Sequence, residues 1–128
     1  MKALSFFSTA LILFLSGCSG SYSKDEIQEF IPGTYVRAST NEFGIEYDTL
    51  SISIQNSSGK QYRIVNRWKY ERTLDGKKLE PEYKIKTTSA LYSPDTKALQ
   101  EEETLENYTF DIKQNKLFLG KTEYQKIK

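Results

Sequence analysis

The segment YRIVNRWKYE, residues 62–71, decides the fold of this chain. Its residues alternate between two faces. One face carries Tyr62, Ile64, Asn66, Trp68 and Tyr70, and the other carries Arg63, Val65, Arg67, Lys69 and Glu71. A period of two is typical of a β-strand with one buried face. Asp75-Gly76 follows directly and predicts a hairpin turn, so the segment is expected to be the longest strand of an antiparallel sheet.

The same period continues in both directions along the chain. Before the segment, strands are predicted at 34–37, after the Pro32-Gly33 break, and at 50–55. After it, a further strand is predicted at 83–91, where one face carries Tyr83, Ile85, Thr87, Ser89 and Leu91 and the other carries Lys84, Lys86 and Thr88. Residues 98–105 are predicted as a strand with one solvated face, although their glutamates favour a helix. A strand is expected at 107–113, and residues 117–127 are expected to form either the last strand pair or one bent strand.

About seven short strands at hairpin spacing predict an all-β domain over residues 31–128. The expected architecture is a small antiparallel up-and-down meander that closes into a barrel or half-barrel, because closure covers the edge strands. We expect Trp68 to point into this barrel. Large inward side chains would then fill the interior.

The N-terminal segment has the features of an export signal. A basic start at Met1-Lys2 precedes an apolar run from Ala3 to Leu15, which is too short to span a bilayer. Leu15-Ser16-Gly17-Cys18 resembles the bacterial lipobox, which implies cleavage before Cys18 and acylation of that cysteine. The expected organisation is a lipoprotein signal peptide at 1–17 and a lipidated flexible tether at 18–30. The alternative is an ordinary secretory signal with an incidental cysteine.

The residues after Cys18 indicate the membrane to which a lipoprotein with this signal would be sorted. By resemblance to lipoprotein sorting rules, Ser19 favours the outer membrane, on either its periplasmic or its surface face. Lys24-Asp25-Glu26 resembles the export signals of some surface lipoproteins. It also fits a solvated helix start with Ser23 as N-cap.

Both ends of the predicted domain carry a family resemblance. Pro32-Gly33-Thr34-Tyr35 at the start, and Leu119-Gly120 with Tyr124 and Ile127 at the end, are similar to small lipocalin-like bacterial lipoproteins of uncharacterised function. The resemblance implies a lipocalin-like β-barrel. Tyr35 stands where lipocalins have the tryptophan of Gly-x-Trp.

Composition argues against most catalytic chemistry. The chain has no histidine and one cysteine, so it lacks Ser/His and Cys/His nucleophile pairs and a histidine-ligated zinc site. Glu80 with Glu82 and Glu101 with Glu103 are interpreted as solvated strand faces rather than acid–base pairs. We therefore expect no enzyme, no cofactor and no metal. The eighteen basic and seventeen acidic residues nearly cancel, which makes nucleic acid an unlikely partner.

Two sets of side chains remain as candidate sites. The candidate ligand-lining set is Tyr62, Trp68, Tyr70, Tyr83, Tyr108 and Phe110. These aromatics could surround a ligand, or they could simply form the core. The candidate basic surface is Arg63, Arg67 and Lys69, extended by Lys84 and Lys86 if the two strands pair. It could contact phosphate groups, or it could keep the exterior soluble.

The expected function is that of a non-enzymatic envelope interaction or accessory protein, anchored in the outer membrane through lipid on Cys18 and binding an envelope protein. The alternative is a lipocalin-like carrier of a small apolar ligand, which needs an interior void. An inhibitor or immunity factor against an envelope enzyme fits the sequence equally well.

Overall fold

The computed structural model describes residues 25–56, 58 and 60–128. The predicted signal peptide, Cys18 and the predicted N-cap Ser23 lie outside the described residues. Within those residues one helix precedes nine strands. They are α1 Glu26–Phe30, β1 Gly33–Asn41, β2 Gly44–Ile54, β3 Gln61–Leu74, β4 Lys77–Lys78, β5 Glu82–Ser93, β6 Ala98–Glu101, β7 Asn107–Asp111, β8 Lys116–Leu119 and β9 Thr122–Lys126.

Eight of the strands close into an antiparallel up-and-down barrel. Each pairs with its neighbour in the order β1, β2, β3, β5, β6, β7, β8, β9, and β9 returns to β1 through the pairs Tyr35–Lys126 and Val36–Gln125. The extra strand β4 pairs with the end of β3 across a turn at Asp75 and Gly76, whose φ angles are 50° and 77°. Positive φ at both residues suits a tight hairpin. The predicted all-β, lipocalin-like barrel is confirmed, and the sheet is closed.

The barrel has walls of unequal height. We call β1, β2, β3 and β5, which are 9 to 14 residues long, the long-strand wall. The remaining four strands, β6 to β9, have 4 or 5 residues each and form the short-strand wall. Only part of the long-strand wall therefore faces a partner wall.

Alternating side chains from both walls fill one end of the barrel. Along β3, Tyr62 and Ile64 are buried while Arg63 is exposed, as the period of two predicts. The central cluster contains Ile31, Tyr35, Leu50, Ile52, Tyr62, Ile64, Ala90, Tyr92, Leu99, Tyr108, Leu117 and Tyr124. Burying a large apolar side chain contributes about 1.5–3 kcal/mol, so this cluster is the main source of stability.

Helix α1 closes the filled end. Asp25 is its N-cap: Oδ1 accepts hydrogen bonds from the backbone N–H of Ile27 and Gln28 at 3.1 and 3.2 Å. Oδ2 of the same carboxylate accepts from the Tyr92 hydroxyl at 2.6 Å. The Tyr35 hydroxyl donates to the carbonyl of Ile31 at 2.9 Å. The helix is thus fastened to the barrel by buried hydroxyls.

These contacts correct the predicted domain boundary. The tether was expected to run through residue 30, with the domain beginning at 31 and Ser23 as the N-cap. In the structure Asp25 is the cap, and Ile27 and Phe30 pack against the core. The folded domain therefore includes residues 25–30, because the barrel end supplies partners that the local sequence does not reveal.

The opposite end of the long-strand wall extends past the short strands. We call residues 38–47, 67–79 and 82–86 the projection, because they pair only among β1 to β5. Near its far end, where β1 turns into β2, β2 begins at Gly44, whose φ is 155°. A Cβ there would lie 2.1 Å from the backbone oxygen of Glu71, so only glycine allows β2 and β3 to approach this closely.

The strand pairing corrects one further expectation. Residues 98–105 do not form one strand: β6 ends at Glu101, and a turn follows. No helix in the described part of the chain is long and apolar enough to cross a membrane.

Candidate functional site

The open end of the barrel holds a polar cavity of about 200 Å³. Its floor is formed by apolar residues of the core, including Leu50 and Ile64. Four charged residues also line it: Asp48 and Lys86 come from the long-strand wall, Glu101 from β6, and Glu106 from the turn that follows β6. Three carboxylates against one ammonium give the cavity a negative balance.

Asp48 is held in place on one side of the cavity. Its Oδ2 accepts a hydrogen bond from the Tyr124 hydroxyl at 2.8 Å, and its Oδ1 accepts one from the Asn66 side-chain amide. Burial raises the pKa of Tyr124, and the bond to Asp48 raises it further. The hydroxyl consequently stays protonated at neutral pH and keeps donating to the carboxylate.

Glu101 lies across the cavity and is 3% exposed. The hydroxyl of Tyr108 is 3.5 Å from its Oε2, at the limit of a hydrogen bond. The other oxygen, Oε1, has no hydrogen-bond partner among the residues that the structure describes. The ammonium of Lys86 stands 3.8 Å from Oε1, so it attracts the carboxylate electrostatically without bonding to it. Burial, followed by the charge of Glu101, raises the pKa of Tyr108.

Glu101 overturns the interpretation of its segment as a solvated face. Leu99 is fully buried and Gln100 is exposed, so a strict alternation places residue 101 inside. Glu103 lies beyond the strand in an exposed turn. Glu80 and Glu82 are exposed, as expected. The signal that could have located Glu101 was its phase with Leu99, and Asp48 has the same phase as the buried Leu50 and Ile52 of β2.

The inner face of the projection continues upward from the cavity. Here Trp68 stacks on Tyr70, with ring centroids 5.7 Å apart, and its indole N–H donates to Glu46 at 2.6 Å. The ammonium of Lys84 stands 5.0 Å from the centre of the Trp68 ring. Trp68 is half-buried rather than enclosed. The expectation that it points into a filled barrel is wrong, because β3 has already passed the short-strand wall at this residue.

The outer face of the projection exposes aromatic and aliphatic side chains. Tyr47, Lys69 and Tyr83 form one row across three strands, with the ammonium 5.6 and 5.9 Å from the two ring centres. Lys69 also pairs with Glu71 at 2.9 Å, and this hydrogen bond raises the pKa of Lys69. Ile85 is 71% exposed.

These side chains border a shallow groove of about 280 Å³. Thr49 and Arg67, which lie in the next row toward the barrel, also line it, and so do Trp68 and Lys84 of the same two strands, β3 and β5. We call Tyr47, Thr49, Arg67, Lys69, Tyr83 and Ile85 the outer groove. Its character is apolar, with cations at the rim.

The candidate ligand-lining residues do not come together around one void. Tyr108 borders the polar cavity, and Tyr62 is a core residue near α1. Phe110 packs against Phe30 and Tyr35 at the closed end, with ring centroids 6.0 and 6.1 Å away. Trp68 and Tyr70 lie on the inner face of the projection. Tyr83, which is 67% exposed, lies on its outer face.

The candidate basic surface divides between the two faces of the sheet. Arg63, Arg67 and Lys69 share the outer face, as expected. Lys84 and Lys86 pair with Trp68 and Asn66 and share the inner face with them, so they do not extend the stripe. The physical reason is the register: β5 sets its odd-numbered residues outward, and Tyr83 and Ile85 take the positions beside Lys69 and Arg67.

A metal site has no support in the described residues, which contain no group of three potential histidine, cysteine or acidic ligands. No protein-family model, curated protein or solved structure matches the chain. Function must therefore be argued from the cavity and the outer groove.

Proposed function

We propose that the protein is a lipoprotein anchored in the outer membrane through Cys18, and that it acts as a non-enzymatic interaction protein of the envelope. The observation that carries the proposal is the exposure of Tyr83 and Ile85, which are 67% and 71% exposed side by side in the outer groove. Exposed apolar side chains clustered in a groove with a polar rim are typical of protein interaction sites.

The backbone next to the outer groove favours an extended partner segment. In the described chain, residues 82–88 of β5 pair with β3 alone, so the other side of the strand has no strand neighbour. An extended peptide can add to such an edge through backbone hydrogen bonds and place alternate side chains in an adjacent groove. Lys84 and Lys86 on this strand disfavour uncontrolled pairing between copies.

Charge further defines the partner. Arg63 and Arg67 on the outer face have no carboxylate within salt-bridge distance among the described residues. A partner segment with apolar side chains flanked by acidic ones would complement both the groove and these cations. The partner we propose is therefore an envelope protein that presents such a segment.

The position of the anchor is consistent with this role. Residues 18–24 can span at most about 25 Å, so the lipid would hold the domain close to the bilayer. The chain enters the domain at the end closed by α1, next to Tyr62. Tyr70, on the projection, stands about 26 Å further along β3 at the usual rise of about 3.3 Å per residue. The outer groove would then lie near the end of the domain that is distant from the membrane.

The alternative, a carrier of a small apolar ligand, has less support. The closed end is filled by aromatic and aliphatic side chains, and the cavity at the other end is lined by charged and hydroxyl groups. An apolar ligand would leave those groups without partners.

Two experiments test the proposal. Replacing Cys18 by Ala should move the protein from the membrane fraction to the soluble fraction, and retention in the membrane would contradict lipid anchoring. For the groove, the double substitution Tyr83→Ser with Ile85→Ser should abolish a partner complex on native gels of detergent-solubilised membranes. Leu91→Ser is the matched control, since Leu91 is 50% exposed on the same strand face but outside the projection. Equal complex formation by both variants would refute the docking site.

A further inference from the structure

The buried carboxylate of Glu101 is not explained by the fold alone. It is 3% exposed, yet within the described part of the chain Oε1 has no hydrogen-bond partner and Oε2 has only the distant Tyr108 hydroxyl. A buried acceptor without a donor destabilises a protein, and a charged one does so more strongly. Glu101 lines the polar cavity, where a bound molecule could supply the missing donor.

The cavity selects the charge of that molecule. Asp48 and Glu106 border the same space as Glu101, whereas Lys86 is the one cationic residue among the lining side chains. The Lys86 side chain is 60% exposed and stays 3.8 Å from Oε1, so the solvated lysine does not satisfy the carboxylate. An anion entering this space would meet a net repulsion, and a cation would be attracted.

The size and walls of the cavity select the rest of the molecule. A volume of about 200 Å³ corresponds to about six or seven water molecules. Leu50, Ile64 and Leu119 form apolar walls that can contact a short hydrocarbon chain. A bare metal ion fits poorly, because the carboxylates around the cavity do not form a group of three that could hold one, and neither do other acidic side chains among the described residues.

We propose that the mouth of the barrel binds a small organic cation, whose ammonium group donates a hydrogen bond to Glu101 Oε1 while its carbon chain rests on the apolar walls. Asp48, fixed by Tyr124 and Asn66, supplies a second negative charge. This site is separate from the outer groove and does not depend on the proposed docking function.

The test uses the purified protein in nonionic detergent and n-butylammonium as the probe, measured by isothermal titration calorimetry. Sodium butyrate and n-butanol are the anionic and neutral comparisons of similar size. We expect saturable binding of n-butylammonium in the millimolar range or tighter, and none of butyrate. Absence of saturable n-butylammonium binding, or equal binding of butanol, overturns the proposal.

Variants assign the binding to the cavity. Glu101→Gln should weaken n-butylammonium binding by about tenfold or more, the loss expected for a charge-assisted hydrogen bond. Glu103→Gln is the matched control, because it removes the same charge from an exposed turn two residues away and should leave the affinity unchanged. Equal affinity in both variants overturns the proposal.

A second pair of variants keeps the test decisive if Glu101→Gln does not fold. Lys86→Met removes the competing ammonium and should tighten n-butylammonium binding severalfold, since the probe no longer shares Oε1 with the lysine. Lys113→Met gives the same change of net charge from an exposed position outside the cavity lining. An unchanged or weakened affinity in Lys86→Met, relative to Lys113→Met, contradicts the proposal.

Discussion

Asp25 should be the largest single contributor of polar stability at the closed end of the barrel. Its carboxylate caps α1 through two backbone N–H groups and accepts hydrogen bonds from Tyr92 at 2.6 Å and Lys97 at 3.3 Å. Loss of an N-cap costs about 1 kcal/mol. Loss of a hydrogen bond to a charged acceptor costs about 2 kcal/mol. The exposed Lys97 pair adds little.

Asp25→Ala should therefore lower the free energy of unfolding by about 3 kcal/mol, a large share of the about 5–15 kcal/mol typical of a domain. Asp25→Asn should lower it by roughly half as much, because asparagine still caps a helix but carries no charge. The assay is urea unfolding of a chain beginning at residue 19. Asp95→Asn, in the exposed turn before β6, is the matched control and should have no effect.

The pH dependence of the stability that Asp25 contributes follows from the same contacts. Burial acts to raise the pKa of Asp25, but the hydrogen bonds from Tyr92 and the Gln28 backbone, together with Lys97, outweigh it and lower the pKa below the usual value. A lowered folded-state pKa gives stability that is present above the unfolded-state pKa of about 3.9. That stability is lost as the pH falls through the folded-state value.

The difference in stability between the parent and Asp25→Asn should consequently be constant near neutral pH and shrink below about pH 4. The reasoning would be refuted if Asp25→Ala changed the unfolding free energy by less than about 0.5 kcal/mol. A parent-to-Asn difference that grew at acid pH would contradict it equally.

Three further outcomes follow from the packing, each measured by urea unfolding. Gly44→Ala should destabilise the domain by at least about 3 kcal/mol, because the added Cβ would overlap a backbone oxygen. Gly76→Ala, with open space around the residue, should destabilise it by only about 1 kcal/mol. Similar losses in the two variants would contradict the close approach of β2 and β3 at Gly44. Trp68→Ala should lower the free energy of unfolding by no more than about 1.5 kcal/mol. Leu99 is fully buried, so Leu99→Ala should lower it by about 2–5 kcal/mol. The reverse order would place Trp68 in the core. Glu101→Gln should raise the unfolding midpoint, since it removes a buried charge that has only a long ion pair to exposed Lys86 and no hydrogen bond to Oε1 from the described residues. A strong loss of stability would mean that Glu101 is structurally satisfied.

The strand pattern was predictable from sequence because it depends on local alternation and turn residues. The 62–71 segment and the Asp75-Gly76 turn appear in the structure as β3 and its hairpin to β4. The closed sheet followed from the number of strands and the exposed edges that an open sheet of this size would leave.

The inward face of β5 was not predictable in the same way. Its outer half lies on the projection, where both faces meet solvent, so polarity does not indicate which side chains point inward. The register with β3 decides the matter by placing Lys84 opposite Trp68 and Tyr83 opposite Lys69. The candidate basic surface failed to form for this reason.

The polar contacts of both barrel ends depend on residues distant in sequence. Asp25 meets Tyr92, and Asp48 meets Tyr124, across 67 and 76 residues. The alternation of side chains along a single strand does not reveal such long-range pairs. The helix at 26–30 was therefore assigned to a tether, and Asp48 was not recognised as a site residue at all.

The most direct test of the proposed role is site-specific photo-crosslinking in living cells. A photoreactive amino acid would replace Ile85 in the outer groove or, in a matched strain, Leu91 on the same strand face below the projection. The proposal predicts a discrete adduct with one envelope protein from position 85, lost when Tyr83 is also changed to Ser, and none from position 91. Absence of an adduct at position 85, or the same adducts from both positions, would contradict it.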